Sequence, residues 1–417
     1  MFRRLGTSVA AAFALAGAAS GAGFSIYEHG AAATASAGAF IARANDPTAI
    51  FYNPAGIVGQ KMGVAIWTTL ITTKTDFAGV TSSLDAKMNS GFFYPSHLYA
   101  VAPIGPVSVG LGIFSPFGLG TEWPATYSGR NISTKAQIQS FYFNPAAGMK
   151  LGPVSVAAGL QAVYASVELK QVAQKALPGL GSVDVANLDL NANNSLNYGF
   201  NLGLQFSPIQ QVAVGASYRS KVKCEFEGTA KFDVTLPTTH PAYATIRASL
   251  PQSADVKSSV TFPAIIGAGV AYTPVPALTV EADVVQMQWS VFDTLPITFT
   301  NAAYAALNSK IAEDYGTSRS YRIGAEYRVK PNLAVRAGYL YDESPQPDAS
   351  VSPMLPDAPR NSAMLGLGYT WRKTTLDVSY MFLPFKNRST NGKNPYGYNG
   401  TYDTTAHLFG ITLVQRF

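Results

Sequence analysis

The sequence predicts an all-β protein, a 14-stranded antiparallel transmembrane β-barrel with an N-terminal, partly helical hatch plugging the lumen. Three observations carry this reading. Compact turns at Ile104–Pro106, Leu151–Pro153, Pro208–Gln211, Thr273–Ala277, Lys330–Asn332 and Arg372–Thr374 alternate with long polar stretches near residues 76–90, 117–135, 170–193, 229–254, 293–316, 343–360 and 387–403. Short on one side and long on the other is the loop rhythm of an outer-membrane barrel, and an even strand count puts both barrel ends beside the short turns. Beyond residue 21 no apolar run reaches the roughly 20 residues a spanning helix needs, which leaves a closed barrel as the way across a bilayer. Between the turns, apolar and polar residues alternate with period two.

A chain of 417 residues would ordinarily suggest two or three soluble domains, but the even spacing of strands points to one large barrel over residues 63–417. Met1–Gly21 reads as a secretory signal peptide. Arg3 and Arg4 form its basic start, Val9–Ala19 its apolar core, and Ala19-Ser20-Gly21 a small-residue cleavage site before Ala22. That core falls short of a membrane anchor. The lone Cys224 excludes an internal disulfide, and no cysteine spacing suggests a metal or redox site. The net charge of +6 is scattered, which argues against a nucleic-acid surface and leaves anionic outer-membrane lipids and lipopolysaccharide as the partners of some basic residues.

The faces of several strands are legible. Tyr321, Ile323, Ala325, Tyr327 and Val329 oppose Ser320, Arg322, Gly324, Glu326 and Arg328. Leu278, Val280, Ala282 and Val284 oppose Thr279, Glu281 and Asp283, and Leu365, Leu367, Tyr369 and Trp371 oppose Gly366, Gly368 and Thr370. In 211–227 the apolar set Val212, Val214, Ala216, Tyr218, Val222, Cys224 and Phe226 opposes Arg219, Lys221, Lys223, Glu225 and Glu227. A soluble sandwich also alternates, but several charges on one face suit a wet lumen, and aromatics near strand ends suit interfacial girdles. A repeated Gly-Pro-Val-Ser-Val at 105–109 and 152–156 starts two strands, where proline's missing donor is tolerated. The last strand, Thr404–Phe417, sets Phe409, Ile411 and Leu413 on the face of the final aromatic. It resembles the terminal signal read by the outer-membrane assembly machinery, with Gln415 departing from the apolar pattern.

Residues 22–62 do not read as barrel. They are rich in Ala and Gly, with short helices expected from Ala31 to Ala44, a further turn opened by Asp46-Pro47-Thr48, and a tight turn at Asn53-Pro54-Ala55-Gly56. A segment of about 40 residues upstream of a closed barrel can sit inside it as a plug; a flexible periplasmic tail is the alternative, but a segment this apolar wants burial. Here the residues are similar to a known family. Ala22-Gly23-Phe24, Glu28, the Gly/Ala stretch and Asn53-Pro54-Ala55 resemble the hatch of FadL-type outer-membrane transporters of long-chain fatty acids and other hydrophobic compounds (OmpP1/FadL/TodX). The likeness continues in order through 97–104 (HLYAVAPI), 117–129 (FGLGTEWPATYSG), 218–228 (YRSKVKCEFEG), Tyr321–Ile323 and Asp342–Pro345.

The resemblance implies a 14-stranded barrel closed by its own N-terminus, with hydrophobic ligands captured outside and moved by diffusion. It also implies transport roles for Asn53, Pro54 and Ala55 and a pocket role for Phe24. Ser166 follows Val163-Tyr164-Ala165, where fatty-acid-binding members can carry a basic side chain. Long-chain fatty acids are the cargo the resemblance implies first, and that departure leaves room for uncharged ligands such as monoaromatic hydrocarbons as the alternative.

The third strand runs from Val107 into Pro116, Gly118 and Gly120, which weaken pairing and predict a bend or the start of a loop. The resemblance favours a kink that opens the barrel wall. Phe114, Phe117, Leu119 and Trp123 are candidate linings of an outer groove or, equally, girdle residues. Arg219, Lys221, Arg322 and Arg336 are read as inward charges that meet a ligand head group or pair with lumen carboxylates. No cofactor is expected. The four histidines, at 29, 97, 240 and 407, form no Ser/His/acid set on one strand pair, and no phosphate-cradling motif is present. A barrel-embedded lipid hydrolase, an adhesive barrel and an open porin are the competing readings; a monomer is expected.

Overall fold

The computed structural model describes residues 23–417, so the signal-peptide expectation lies outside the described residues. Counting interrupted strands once, 14 strands close into an antiparallel barrel. They are β1 (Gly63–Gly79), β2 (Ser96–Ile104), β3 (Val107–Phe114), β4 (Lys135–Leu151), β5 (Val154–Leu177), β6 (Gly181–Asn194 and Asn197–Ile209) and β7 (Val212–Arg219 and Val222–Val234). They continue as β8 (Ser253–Phe262 and Ile265–Val275), β9 (Leu278–Met287), β10 (Ser318–Lys330), β11 (Leu333–Asp342), β12 (Arg360–Trp371), β13 (Thr374–Pro384) and β14 (Gly400–Arg416).

Closure runs from Gly63 opposite Arg416 to Gly79 opposite Gly400. All six expected tight turns join successive strands, and Gly105, Gly152 and Arg372 take the positive φ that such turns require. Outward residues such as Ile66, Leu70, Tyr321, Ile323, Leu365, Leu367, Phe409 and Ile411 are exposed, while Glu281, Asp283, Arg322 and Glu326 on the opposite faces are buried. Apolar faces outward and charges inward is the reverse of a water-soluble sandwich.

One face assignment is corrected. Val214 and Ala216 point outward and Gly215 and Arg219 inward, but above them Val222, Cys224 and Phe226 are buried while Lys221, Lys223 and Glu225 are exposed. Residues 220–221 lie outside the ladder, opposite Pro263–Ala264 in the matching break of β8. Proline cannot donate to the ladder, and the interruption shifts the side-chain phase by one residue, which exchanges the faces. The break in β6 at 195–196 does the same, exchanging inward Ala192 and Asn194 for inward Asn201 and Gly203. Lys221 is therefore an outside residue, not a lumen charge, and the apolar upper faces of β6, β7 and β8 turn inward.

Residues 23–61 lie against inward side chains from much of the circumference. Ala31 N donates to Thr412 Oγ1, Phe40 N and Ile41 N donate to Asp283 Oδ2, Asn201 Nδ2 donates to Ile50 O, and Arg219 Nη2 donates to Phe51 O. Backbone meets backbone at Gly324 and Gly338, where an added Cβ would lie 2.4 Å from Ser36 O and Ala37 N. The helix expected from Ala31 stops at Ala35, because Gly38, with φ of 68°, donates back to Ala33 O at 2.8 Å and ends the turn. A second short helix covers Ala49–Tyr52, and Asn53 caps a 3-10 turn at Pro54–Ile57.

Candidate functional site

Two apolar cavities lie on the side of the barrel that carries the long loops. The outer one, about 580 Å³, is walled by Leu169, Leu188 and Leu190, by Ile246 of the loop helix Tyr243–Ser249 and Leu250 just after it, and by Phe299 and Leu307. Lys170 and Lys175 also line it. The upper, face-exchanged parts of β6 and β7 supply Leu190, Ala230 and Phe232. The inner cavity, about 50 Å³, is lined by Phe24, Leu119, Ile138, Val167, Val260, Phe292, Leu295 and Leu355, with Glu313 and Gln137 as its polar members. Leu169 and Met354 line both cavities, so they are neighbours through a shared wall.

Phe24 sits in an aromatic cage. Its ring centroid lies 4.5 Å from Trp289, 5.4 Å from Phe292 and 6.3 Å from both Phe117 and Phe262. Phe117 and Phe262 stack at 4.7 Å. Burial pushes the Glu313 carboxyl up to about 8, with Asp314 adding to the shift.

Strand β3 ends at Phe114, and the chain resumes as a strand only at Gly118–Glu122. Pairing with β2 ends at Leu98 opposite Ile113, whereas 118–122 pairs with β4 alone. At the break Ser140 replaces the ladder, accepting from Phe117 N at 3.2 Å and donating to Phe117 O at 2.6 Å. The side facing β2 is met instead by the N-terminal segment, through Ile26 N to Pro116 O at 2.8 Å and Gly118 N to Phe24 O at 2.9 Å. A gap in wall pairing thus opens beside the inner cavity and is bridged by residues 24–26.

The other residues singled out from sequence fall into separate groups. Phe114 is buried but packs beneath the cavity, stacked on Tyr99 and Tyr142, with the Arg219 guanidinium 5.1 Å over its ring. Pro54, Arg219 and Arg322 meet around a small void of about 40 Å³ with Tyr27 and Phe51. Asn53 Nδ2 donates to Ile41 O at 2.8 Å and Leu204 O at 2.9 Å, and Asn53 Oδ1 accepts from Ala55 N. Arg336 is paired with Glu326 at 2.7 Å and Asp377 at 2.6 Å. Gly120 lies in the short 118–122 strand opposite Gln137. Trp123 stands apart from both cavities. Its Nε1 donates to Pro353 O and its ring stacks on Tyr127, clamping two long loops together.

Residues 12–417 match the model of the family of outer membrane protein transport proteins (OMPP1/FadL/TodX). The chain belongs to this family. Like other OMPP1/FadL/TodX proteins it is an integral outer-membrane β-barrel. Among relatives, a long-chain fatty acid transport protein of Escherichia coli O6:H1 is 26% identical over 376 residues, covering 83% of this chain and 82% of its own. A long-chain fatty acid transport protein of Salmonella typhi is 25% identical over 368 residues, covering 80% and 79%. Among solved structures, a Pseudomonas aeruginosa FadL homologue superposes with a TM-score of 0.84 at 19% identity, over 95% of this chain and all of its own. The Ralstonia pickettii toluene transporter TbuX gives 0.71 at 19% identity, over 94% and 100%.

Sequence reasoning missed Glu313 and most of the outer cavity. The apolar residues Leu295, Ile297 and Phe299 stand in a stretch read as polar loop, and their alternation was the available signal.

Proposed function

We propose that this outer-membrane protein takes up small hydrophobic molecules by passive diffusion. Residues 22–62 act as a hatch within the barrel of residues 63–417. The observation that carries the reading is the order of features: a large outer apolar cavity, an inner one sharing Leu169 and Met354 with it, and a wall break at Pro116–Gly118 beside Phe24 and Leu119. A ligand captured among the outer residues passes to the Phe24 cage and leaves sideways between β2 and β3 into the bilayer. Such a route keeps apolar surface out of water throughout. For a sixteen-carbon tail the difference is roughly 12 kcal/mol, at about 0.8 kcal/mol per methylene.

Relatives named for long-chain fatty acids and a fold neighbour named for toluene bracket the ligand class. Lys170 and Lys175 at the outer cavity suit first contact with a carboxylate, with Lys170 shared between Glu168 and Asp189. The inner cavity has no Lys, Arg or His among its described lining residues, which favours uncharged molecules on the inward path. Closure of β14 on β1 beside Phe417 is consistent with a C-terminal strand handed over by the assembly machinery.

The test is uptake of labelled oleate and labelled toluene by cells lacking their own transporter and expressing this chain. Import of at least one is expected; import of neither would reject the function.

A further inference from the structure

Glu313 follows the short strand Ser309–Ala312 and folds back under the loops, its backbone N–H donating to Asp293 O at 2.7 Å. Only 5% of the residue is exposed, it lines the inner cavity, and its Oε2 has no hydrogen-bond partner among the described residues. Two further buried polar atoms without partners, Trp289 Nε1 and Tyr315 Oη, belong to rings packed on the same Phe24–Phe292 pair. Folded interiors leave few such atoms unpaired, and a buried carboxyl that itself lines a cavity, with Trp289 and Tyr315 in the rings behind the lining, marks a place a ligand can complete.

We infer that the inner cavity selects hydrophobic molecules carrying an uncharged hydroxyl group, a phenol or an aliphatic alcohol, and that Glu313 is the residue that recognises the hydroxyl. The inference rests on the uptake reading above and deepens it by naming the ligand class.

The chemistry of the alternatives decides the assignment. Burial holds the Glu313 carboxyl protonated at neutral pH, its proton retained up to about pH 8. A protonated carboxyl both donates and accepts, and so does a hydroxyl, so the two exchange a reciprocal pair of hydrogen bonds without placing charge in an apolar site. A fatty-acid carboxylate would bring an ion into a cavity with no cation among its described lining residues. An amine would take the proton from Glu313, become an ammonium, and leave a buried ion pair with little else to solvate it. At about 50 Å³ the cavity is smaller than the roughly 150 Å³ that admits benzene, so either kind of ligand enters only as the Phe24 cage opens, and a plain hydrocarbon there still leaves Oε2 unpaired. The hydroxyl satisfies both the walls and the carboxyl.

The experiment compares 4-ethylphenol with ethylbenzene, which differ only by the hydroxyl. Binding to the full chain in lipid nanodiscs is followed by tryptophan fluorescence, with empty discs subtracted. The wild-type protein is expected to bind 4-ethylphenol about tenfold more tightly, the scale of one net hydrogen bond. Glu313→Leu should remove that preference by weakening the phenol alone. Glu313→Gln, which keeps a donor and an acceptor in the same shape, should retain it and guards against a folding artefact in the leucine variant. Equal affinity for the two compounds in the wild type, or a preference that survives Glu313→Leu, overturns the assignment while leaving the uptake function standing. Binding of neither compound overturns both.

Discussion

The backbone amide of Gly118 donates to the carbonyl oxygen of Phe24 at 2.9 Å, and 2.8 Å separates Ile26 N from the Pro116 oxygen in the companion bond. Together they form an antiparallel bridge centred on Ser25 and Phe117. The start of the described chain therefore stands where β2 would continue the sheet, and the third strand is held by a partner that is not part of the barrel. Displacing residues 24–26 would break both bonds, and the aromatic cage around Phe24 lies on the same segment.

Gly118→Val tests the lateral route. A Cβ at this position would lie 2.8 Å from Ile26 Cδ1, so the side chains must separate, while valine strengthens the strand. The overlap meets only the far end of the Ile26 side chain, which can move aside, so the strand-forming preference of valine dominates; that scale spans about 1 kcal/mol, roughly a fivefold shift toward a paired wall. Uptake should fall by about that factor while the barrel stays heat-modifiable on gels. Replacing Pro116, Gly118 and Gly120 together with strand formers should close the lateral route further. Unchanged flux in both variants would rule the route out.

The barrel was legible because lipid imposes a rule on every strand: one face apolar, no unpaired edge. Tyr321, Ile323 and Leu365 obey it, and the tight turns at Gly105 and Gly152 announce themselves by composition. Lys221 was misplaced because alternation persists on both sides of a break, and only pairing with Pro263–Ala264 reveals that the phase has shifted. Phe24 and the Pro116–Gly120 region were singled out through family resemblance and backbone chemistry. Glu313 was not, since a lone carboxyl in a long loop looks solvated until the fold buries it. Trp123 misled for the opposite reason: an aromatic beside a kink looks like a ligand contact, and its hydrogen bond to Pro353 ties two loops instead.

Asn53 is the clasp of the N-terminal segment. Its amide reaches both Ile41 O and Leu204 O, and its oxygen holds the turn at Ala55. Asn53→Ala leaves buried carbonyls without a donor, a penalty of about 1–3 kcal/mol. The penalty falls on the segment, because the strand ladder closes without it. Planar-bilayer conductance should rise and uptake should drop. Deleting Asn53-Pro54-Ala55 should abolish uptake with the barrel still heat-modifiable. Normal transport after the deletion would show that these residues do not serve as a hatch.

Asp357 ties the loop between β11 and β12 to the same segment. One oxygen meets Arg360 Nη2 at 2.5 Å, and the other accepts from Gly23 N at 3.2 Å and Ser344 Oγ at 2.5 Å. Arg360 is fully buried, with Asp342 at 3.7 Å as its further carboxylate. Asp357→Ala leaves that guanidinium undercompensated, which for a buried pair costs about 3–5 kcal/mol. Thermal unfolding in detergent should shift down clearly, and limited proteolysis should reach residues near Gly23 sooner. Asp357→Asn, whose single oxygen can still accept from Gly23 and Ser344 but whose amide cannot pair with Arg360, should melt lower as well while protecting Gly23 from proteolysis better than alanine does. Equal melting of Asp357→Ala and wild type would place the anchoring elsewhere.

Glu313 gives stability a pH dependence whose sign is fixed by the direction of its shift. Burial raises its carboxyl from 4.5 to about 8, so between those values the folded protein holds a proton that the unfolded chain has released. Stability is then full below about pH 4.5, falls as pH rises toward 8, and levels off above it. The slope contributed by this one group is at most about 1.4 kcal/mol per pH unit. Glu313→Gln carries no titrating proton, so the difference in unfolding free energy between variant and wild type isolates the carboxyl from every other group. Urea unfolding of both proteins in lipid vesicles across that range measures it. The glutamine variant should gain relative stability steadily with pH, and a difference that stays constant would mean that Glu313 ionises as freely as a carboxyl in water.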